Sequence, residues 1–324
     1  MITTGQLRDA IGLKSVDSIQ SSLKKLEEEK NKELSYKRGR STVLERDFFR
    51  DFLLKSRTKR IGGFSNKILS FANNKGGSGK TSTCATIGLK FSELGYNTLL
   101  IDTDPQANLT KYLLGKNYEP QFSLYDFFKG TCELEDILIK ASEGLYVIPS
   151  RLDNDFLHEV VSSYALPKSF LNKVINPLKN RFELFLIDTN PTLSDTNLGF
   201  HSVTDMVLTI ANNDLSSMDG FRNILKKLND DSYEGTHKLV FNRIDAREKL
   251  VMPLQRIESL IESGYTFSIA NSQLKIDRAI TNAQDNTNGF FNQLEIGAKI
   301  QQDSLNLAIE LLHEFSDLEE KELH

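Results

Sequence analysis

Residues Lys75-Gly-Gly-Ser-Gly-Lys-Thr-Ser82 carry the strongest structural signal in this chain. They follow an apolar run at residues 68–72 and precede a helical pattern over residues 83–94. In a glycine-rich turn between a strand and a helix, backbone N–H groups can converge on a phosphate, because glycine leaves room for the anion. The pattern predicts that Lys80 reaches the β- and γ-phosphates of a nucleotide and that Thr81 ligates Mg²⁺.

The loop departs from the usual phosphate-loop pattern at its first residues. The position five residues before Gly79 is Asn74 instead of glycine, and a second lysine, Lys75, follows it. The alternative is a ligand-free surface turn, which is disfavoured because three further motifs follow in the expected order. The predicted nucleotide contacts are Lys75, Gly76, Gly77, Ser78, Gly79, Lys80, Thr81 and Ser82.

Two carboxylates close the next apolar strand, in the sequence Thr98-Leu-Leu-Ile-Asp-Thr-Asp104. Because side chains alternate along a strand, Asp102 and Asp104 are expected on the same side. At the carboxyl end of a strand beside a phosphate loop, such carboxylates can position Mg²⁺-bound waters or the attacking water. We expect Asp102 to support the metal shell.

Two later strands also end in polar residues. Residues 182–188 form an apolar run that ends in Asp188, as in a Walker B strand, whose acid holds Mg²⁺ through water. Residues 237–241 form another, followed by Asn242. The Asn242 amide can pair with a purine edge by donating and accepting together, although a turn residue at the strand end is an equally good interpretation.

The pattern Lys-Gly-Gly-x-Gly-Lys-Thr resembles the deviant Walker A motif of the ParA/MinD family of ATPases. Residues 102–106, Asp-Thr-Asp-Pro-Gln, and the strand ending at Asp188 are similar to the next two motifs of that family. Asn190 stands where the family usually has proline, which leaves the path of that loop open. The resemblance covers residues 66–312 and is weakest in the last third.

The resemblance implies specific roles for three residues. Lys75 would reach across an ATP-sandwich homodimer to the phosphates of the partner subunit, as an arginine finger does in trans. Asp104 would act in hydrolysis, and Asn242 would contact adenine. The implied activity is an ATPase with weak intrinsic turnover that uses ATP and Mg²⁺.

Composition limits the class of protein. The 324 residues give room for one large α/β domain and a small second one, with 39% hydrophobic and 26% charged residues. No apolar run approaches the roughly 18 residues of a membrane span, and the N-terminus lacks a signal-peptide pattern. We therefore expect a cytoplasmic protein without membrane contact, and the resemblance implies that it associates with the nucleoid.

Cysteine and charge patterns disfavour two related branches. The two cysteines, Cys84 and Cys132, offer no disulfide framework. Iron–sulfur carrier ATPases of the superfamily use a cysteine pair near the C-terminus, and this chain has no cysteine after residue 132. Residues 314–324 are acidic, whereas MinD-like members bind membranes through a basic amphipathic helix. DNA is the expected large partner.

The charge is unevenly distributed between the start of the chain and the rest. Residues 1–62 hold fifteen Lys and Arg against nine Asp and Glu, a balance of +6, whereas the remainder carries −10. A basic block on an acidic body indicates a nucleic-acid module.

The N-terminal pattern is typical of a winged helix-turn-helix. A short helix over residues 4–11, a turn, and a second helix capped by Ser15 precede two strands around a basic turn at residues 34–44. The second helix would read DNA, and the wing would contact phosphates. A helical dimerisation arm is the alternative. The predicted DNA contacts here are Ser18, Gln20, Lys24, Lys37, Arg38 and Arg40.

We therefore predict an α/β fold with a doubly wound, mostly parallel sheet, plus a small N-terminal winged helix-turn-helix domain. The predicted domains are residues 1–60 for DNA binding, 61–66 as linker and 67–324 as ATPase. The predicted strands cover residues 67–73, 98–102, 145–148, 184–188, 206–211, 238–241 and 266–269.

The expected function is a ParA-type partition ATPase. ATP and Mg²⁺ would close a dimer that binds DNA without sequence preference, a ParB-like partner would stimulate hydrolysis, and the N-terminal domain would add operator binding and autorepression. Arg278 is the preferred candidate for non-specific DNA contact, ahead of Lys249, Arg256, Lys275 and Lys299. The alternatives are a nucleotide-switched transcriptional or replication regulator with negligible turnover, and an ATPase that positions a non-DNA cargo.

Overall fold

The computed structural model describes residues 1–55, 63–162, 165–231, 233–245, 251–277, 279–280 and 299–322. Its first part is a small N-terminal unit with α1 (Thr4–Ala10), α2 (Asp17–Lys30), α3 (Arg46–Lys55), β1 (Ile2–Thr3), β2 (Ser35–Arg38) and β3 (Ser41–Leu44). The three strands are antiparallel, in the order β1-β3-β2. The N-cap of α2 is Val16 instead of Ser15, although the Ser15 hydroxyl accepts from the Asp17 N–H at 3.3 Å.

The main body is built on a nine-stranded sheet. Its order is β11-β10-β9-β4-β8-β5-β7-β6, with β12 also paired to β10. Every pairing is parallel except that of β6 with β7, so the prediction of a mostly parallel sheet is confirmed. The strands are β4 (Lys67–Ala72), β5 (Thr98–Asp102), β6 (Ile139–Ser142), β7 (Leu145–Ile148), β8 (Leu184–Asp188), β9 (Met206–Ala211), β10 (Thr236–Ile244), β11 (Ser268–Ile269) and β12 (Leu274–Lys275).

Helices cover the sheet. Strands β4, β5, β8 and β9 are buried at every residue, as expected for apolar strands packed on both faces. No helix in the described residues combines the length and apolar composition needed to cross a membrane. The helices are α4 (Lys80–Glu93), α5 (Asn108–Leu114), α6 (Leu124–Lys129), α7 (Leu157–Val160), α8 (Leu166–Phe170), α9 (Asn176–Leu178), α10 (Asp195–His201), α11 (Leu215–Asp230), α12 (Val251–Glu262) and α13 (Lys299–Glu322).

The N-terminal unit packs against the main body and shares a hydrophobic core with α4 and α13. The Arg46 side chain donates to the Ser92 and Gly95 carbonyls at 2.8 and 3.1 Å and to Oδ1 of Asn97 at 2.7 Å. Asn97 directly precedes β5, so this contact lies at the amino ends of the strands. The unit therefore sits away from the carboxyl edge of the sheet at this point.

The predicted linker, residues 61–66, is attached to the body in its described part. Its first two residues lie outside the described part of the chain. The Phe64 ring stacks on Tyr96 with centroids 5.5 Å apart. Nδ2 of Asn66 donates to the Lys179 carbonyl at 2.8 Å. These contacts fix the approach of the chain to β4.

Candidate active site

The phosphate loop connects β4 to α4, and two glycines determine its shape. Gly77 and Gly79 have φ of +75° and +94°, a region that residues with a Cβ rarely adopt. A Cβ at Gly79 would lie 2.0 Å from Nδ2 of Asn242. That Nδ2 donates to the Ser78 carbonyl at 2.8 Å. Asn242, at the end of β10, therefore holds the loop from the side. Its contact with the Ser78 carbonyl is possible because residue 79 has no Cβ.

A cavity of about 880 Å³ opens beside the loop at the carboxyl ends of the strands. This volume suits a small-molecule or cofactor site, and the position is the usual one in an open α/β sheet. Two of the predicted nucleotide contacts, Lys75 and Ser78, do not line it, and the Ser78 side chain is fully buried. The predicted residues that do line it are Gly76, Gly77, Gly79, Lys80, Thr81, Ser82, Asp104 and Asn242.

Asp188, at the end of β8, has two buried carboxylate oxygens without a well-aligned donor among the described residues, although the Thr81 hydroxyl lies close to them. Burial raises the pKa of Asp188, as does Asp102, while the nearby Thr81 hydroxyl and Lys80 ammonium act in the opposite direction. A buried carboxylate without a partner is costly, and a bound cation would remove that cost. Carboxylate and hydroxyl oxygens are ligands that Mg²⁺ prefers, so Asp188 and Thr81 fit a magnesium ion.

Asp102, which is expected to support the metal shell, uses both carboxylate oxygens within its own chain. Its Oδ2 accepts from the N–H and hydroxyl of Thr110 at 2.8 and 2.7 Å, and its Oδ1 accepts from the Asp104 N–H at 3.2 Å. Burial raises the pKa of Asp102 to about 7. Because both oxygens are used to hold α5 and the Asp104 turn, Asp102 is a positioning residue here.

The described residues contain no cluster of three or more His, Cys, Asp or Glu side chains suited to a metal. Mg²⁺ at a nucleotide site typically takes one or two carboxylates and completes its shell with water and phosphate. A single carboxylate at Asp188 is therefore a sufficient protein contribution.

Lys80 and Asp104 bring opposite charges to the cavity. Burial lowers the pKa of Lys80, while Asp188 and Asp104 raise it. Asp104 is 7% exposed, and its Oδ1 accepts from the Gln106 N–H at 2.9 Å. An ammonium beside the phosphate loop can bind a phosphate, and a carboxylate held by its own turn can orient a water molecule.

Lys75 is held by α11 of its own chain. Its Nζ lies 2.7 Å from Oδ2 of Asp214, the N-cap residue of α11. Burial acts to raise the pKa of Asp214, but hydrogen bonds from Lys75 and Ser217 outweigh it, so this pKa lies below its ordinary value. In the single chain the Lys75 ammonium is therefore engaged outside the cavity lining.

Asn73 was missed in the sequence and Gly220 was given no role at the site, although both fix the start of the loop. Nδ2 of Asn73 donates to the carbonyls of Ile210 and Ser217 at 2.8 and 3.2 Å, and its Oδ1 accepts from the Lys75 N–H at 3.0 Å. A Cβ at Gly220 would lie 2.1 Å from that same Oδ1. Asn73 thus joins the ends of β4 and β9 to α11. The pair Asn73-Asn74 before the loop was the available signal.

The predicted DNA contacts of the N-terminal unit are exposed. Ser18, Gln20 and Lys24 lie on α2, and the wing residues Lys37, Arg38 and Arg40 lie on or beside β2. In the main body, Arg278 and Lys249 fall outside the described residues. Arg256 pairs with Asp219 at 2.8 Å and Lys275 with Asp303 at 3.4 Å. Lys299, at the start of α13, is exposed.

Comparison with known proteins gives a family match over the main body. A family model described as an AAA domain matches residues 66–239, more than half of the chain. The sporulation initiation inhibitor protein Soj of Bacillus subtilis is 27% identical over 194 residues, which cover 57% of this chain and 75% of Soj. The chromosome partitioning protein ParA of Caulobacter vibrioides is 26% identical over 165 residues, which cover 50% of this chain and 62% of ParA.

Solved structures share the fold. An ATP complex of a McdA variant from Cyanothece superposes with a TM-score of 0.61 at 20% identity, covering 79% of this chain and 98% of McdA. The septum site-determining protein MinD of Pyrococcus horikoshii, complexed with Mg-ADP, superposes with a TM-score of 0.59 at 21% identity, covering 76% of this chain and 96% of MinD. At these identities the likeness concerns the fold alone.

Proposed function

Since this chain belongs to the AAA domain family and has the fold of ParA- and MinD-type P-loop ATPases, we propose that it is a DNA partition ATPase. It binds ATP and Mg²⁺, closes as a sandwich homodimer and holds DNA without sequence preference in that state. A ParB-like partner stimulates hydrolysis, and hydrolysis releases the DNA. Its action is cytoplasmic, on the nucleoid.

The observation that carries the proposal is the pair of buried Asp188 oxygens, without a well-aligned donor among the described residues, beside Lys80 and Thr81. When bound, magnesium would offset the negative charge of the phosphates. The loop N–H groups and Lys80 bind the phosphates, and Asp188 and Thr81 hold the metal shell. The same constellation would have no purpose in a ligand-free surface turn.

Asp104 and Lys75 are assigned to hydrolysis. The Asp104 carboxylate faces the cavity and orients the attacking water for in-line displacement. Lys75 leaves Asp214 and reaches the phosphates bound by the partner subunit, where its ammonium stabilises charge that develops in the transition state. Asn242 lines the cavity and is assigned to adenine, while its Nδ2 stays on the Ser78 carbonyl.

The N-terminal unit, residues 1–60, acts as a winged helix-turn-helix DNA-binding domain in this proposal. Support comes from two helices joined by a turn, an antiparallel hairpin and exposed basic side chains at the hairpin turn. Helix α2 reads base edges, and Arg38 and Arg40 contact phosphates. Arg278 supplies a further phosphate contact in the main body.

The test is ATP hydrolysis and DNA binding of the full chain with ATP, ADP or no nucleotide, on random DNA and on DNA from upstream of its own gene. We expect ATP-dependent binding to random DNA that weakens steeply with salt. Lys80→Ala should weaken ATP binding roughly 10-fold or more, whereas Lys75→Ala and Asp104→Ala should bind ATP and fail to hydrolyse it. Normal turnover in Lys75→Ala would refute the trans role of that lysine.

A second candidate, a nucleotide-switched transcriptional regulator, is favoured by the close packing of the N-terminal unit on α4, the helix that follows the phosphate loop. It predicts a sequence-specific footprint on the upstream DNA and negligible turnover with any partner. A protein that positions a non-DNA cargo would instead show ATPase activity without affinity for either DNA.

A further inference from the structure

Arg243 combines a strained backbone with a place in the cavity wall. Its φ is +56°, one of three positive values among non-glycine residues of the described chain. It lies near the end of β10, where the pairing with β12 shifts register. Its side chain is exposed and lines the nucleotide cavity. Strain of this kind persists only where surrounding structure imposes it, and it concentrates at functional sites.

The backbone conformation changes the direction of the Arg243 side chain. Consecutive residues of a strand point to opposite faces of the sheet. Asn242 and Arg243 are consecutive, yet both donate to the phosphate loop, Asn242 to the Ser78 carbonyl at 2.8 Å and Arg243 to the Gly77 carbonyl at 3.4 Å. The left-handed conformation thus brings the guanidinium to the side of the strand on which the loop lies.

The contact with Gly77 leaves the guanidinium available for a stronger partner. At 3.4 Å it is long for a hydrogen bond between nitrogen and oxygen. Gly77 belongs to the loop whose N–H groups would bind the phosphates of a nucleotide, so Nη1 lies within side-chain reach of the same site. A planar guanidinium matches two phosphate oxygens at once, which an ammonium cannot do.

The lysines near the cavity have other engagements. Lys75 is 2.7 Å from Asp214, and Lys275 is 3.4 Å from Asp303. Lys80 is 6% exposed, beside Asp188. Lys80 therefore serves the inner side of the phosphate cradle, and Arg243 faces its outer, solvent side.

We propose that Arg243 binds the polyphosphate of the nucleotide as a second cation in cis, opposite Lys80. The proposal rests on the proposed function, because it requires that the cavity takes a nucleotide. It makes Arg243 a residue that distinguishes nucleotides by their number of phosphates.

The test compares Arg243→Ala, Arg243→Gly and Arg243→Lys by the affinity of the full chain for Mg-ATP, Mg-ADP and AMP. Alanine and glycine both remove the guanidinium, but only glycine accepts φ of +56° without strain. We expect both to weaken ATP and ADP binding by roughly 10-fold and AMP binding by less than about 2-fold. Arg243→Lys should recover part of the loss.

Two outcomes would overturn the proposal. If affinity falls in Arg243→Ala and is normal in Arg243→Gly, the effect comes from the backbone and the guanidinium binds nothing. If ATP, ADP and AMP lose affinity equally, or none changes, Arg243 does not contact the polyphosphate. Arg222→Ala, at an exposed arginine of α11, controls for the loss of one positive charge.

Lys80→Ala separates this inference from the proposed function. If Lys80→Ala loses ATP affinity and the Arg243 variants do not, the nucleotide site stands and the inference on Arg243 fails. If the unaltered chain itself binds no nucleotide, the proposed function fails first.

Discussion

Two carboxylates at opposite edges of the central sheet, Asp205 and Asp188, differ in their hydrogen bonds. At the amino ends of the strands, Arg46 donates to three acceptors, and the Asp205 carboxylate accepts from the Ile68 N–H at 2.7 Å. At the carboxyl end of β8, neither oxygen of the buried Asp188 has a well-aligned donor among the described residues. Paired polar groups stabilise the fold, whereas a buried carboxylate without an aligned donor marks a candidate ligand site.

The largest expected effect comes from Asp188→Asn, which removes the buried carboxylate. We expect ATP hydrolysis to fall by roughly 100-fold or more because the metal ligand is lost. The free energy of unfolding without nucleotide should rise by about 1–3 kcal/mol, because a buried, unsatisfied carboxylate is no longer present. Enzyme assay and urea denaturation measure the two quantities.

The same substitution at the other edge, Asp205→Asn, is the matched control. Its amide oxygen can still accept from the Ile68 N–H, so we expect little change in hydrolysis. If Asp188→Asn destabilises the chain or keeps its rate, the contrast between the edges is wrong.

Arg46→Ala should give the next largest effect, a loss of about 2–4 kcal/mol in the free energy of unfolding. The Ser92 and Gly95 carbonyls and the Asn97 amide oxygen would lose a charged donor at once. Urea denaturation measures the loss, and the hydrolysis rate per folded molecule should stay near its original value. A large fall in that rate would mean that the contacts of Arg46 at the amino edge affect the nucleotide site. The exposed Arg222→Ala should change neither quantity.

Acid should destabilise the chain through His201. Burial lowers the pKa of His201 to about 3, so between that value and about 6.5 the unfolded chain binds a proton that the folded chain does not. The stabilisation is complete above pH 6.5 and is lost at about 1.4 kcal/mol per pH unit as pH falls. His201→Asn should reduce the slope of stability against pH by this amount, measured by urea denaturation from pH 7.5 to 5.

Asp102, at the carboxyl edge of the sheet, should oppose this dependence of stability on pH. The pKa of Asp102 is raised to about 7, so there the folded chain binds the extra proton and gains stability as pH falls from about 7 toward 4. Asp102→Asn should therefore steepen the loss in acid that His201→Asn reduces. Equal slopes in both variants would contradict the opposite behaviour of the two groups.

The smallest expected effect is that of Asp214→Asn, which releases Lys75. Asparagine caps a helix as well as aspartate does, and a half-exposed ion pair contributes little, so stability should change by less than about 1 kcal/mol. ATP-dependent dimer formation, measured by sedimentation, should need up to about 5-fold less ATP, because Lys75 no longer has to break its ion pair with residue 214. Weaker dimer formation would show that Asp214 orients Lys75 for its role.

The sequence alone predicted those elements whose physical signals are local. Apolar runs located the parallel strands, and the glycine pattern located the loop, because both depend on neighbouring residues. It could not give the hydrogen-bond partners of Asp102, because Thr110 lies eight residues later, beyond a turn and the start of α5. Strand alternation also places Asp102 and Asp104 on the same side, so the sequence does not distinguish their roles. Nor could it give the left-handed conformation of Arg243 or the engagement of Lys75 with Asp214, 139 residues later in the chain.

Gly220 has a consequence for the way variants of this protein would be read. A Cβ there would meet Oδ1 of Asn73 at 2.1 Å and Oδ1 of Asn74 at 2.5 Å, so even alanine must displace these amides, including the Asn73 amide that holds the start of the loop, or shift α11. In a mutational scan scored by growth or activity, Gly220 would tolerate as few substitutions as Lys80 does. A helix position outside the cavity lining would then carry the mutational profile of a catalytic residue.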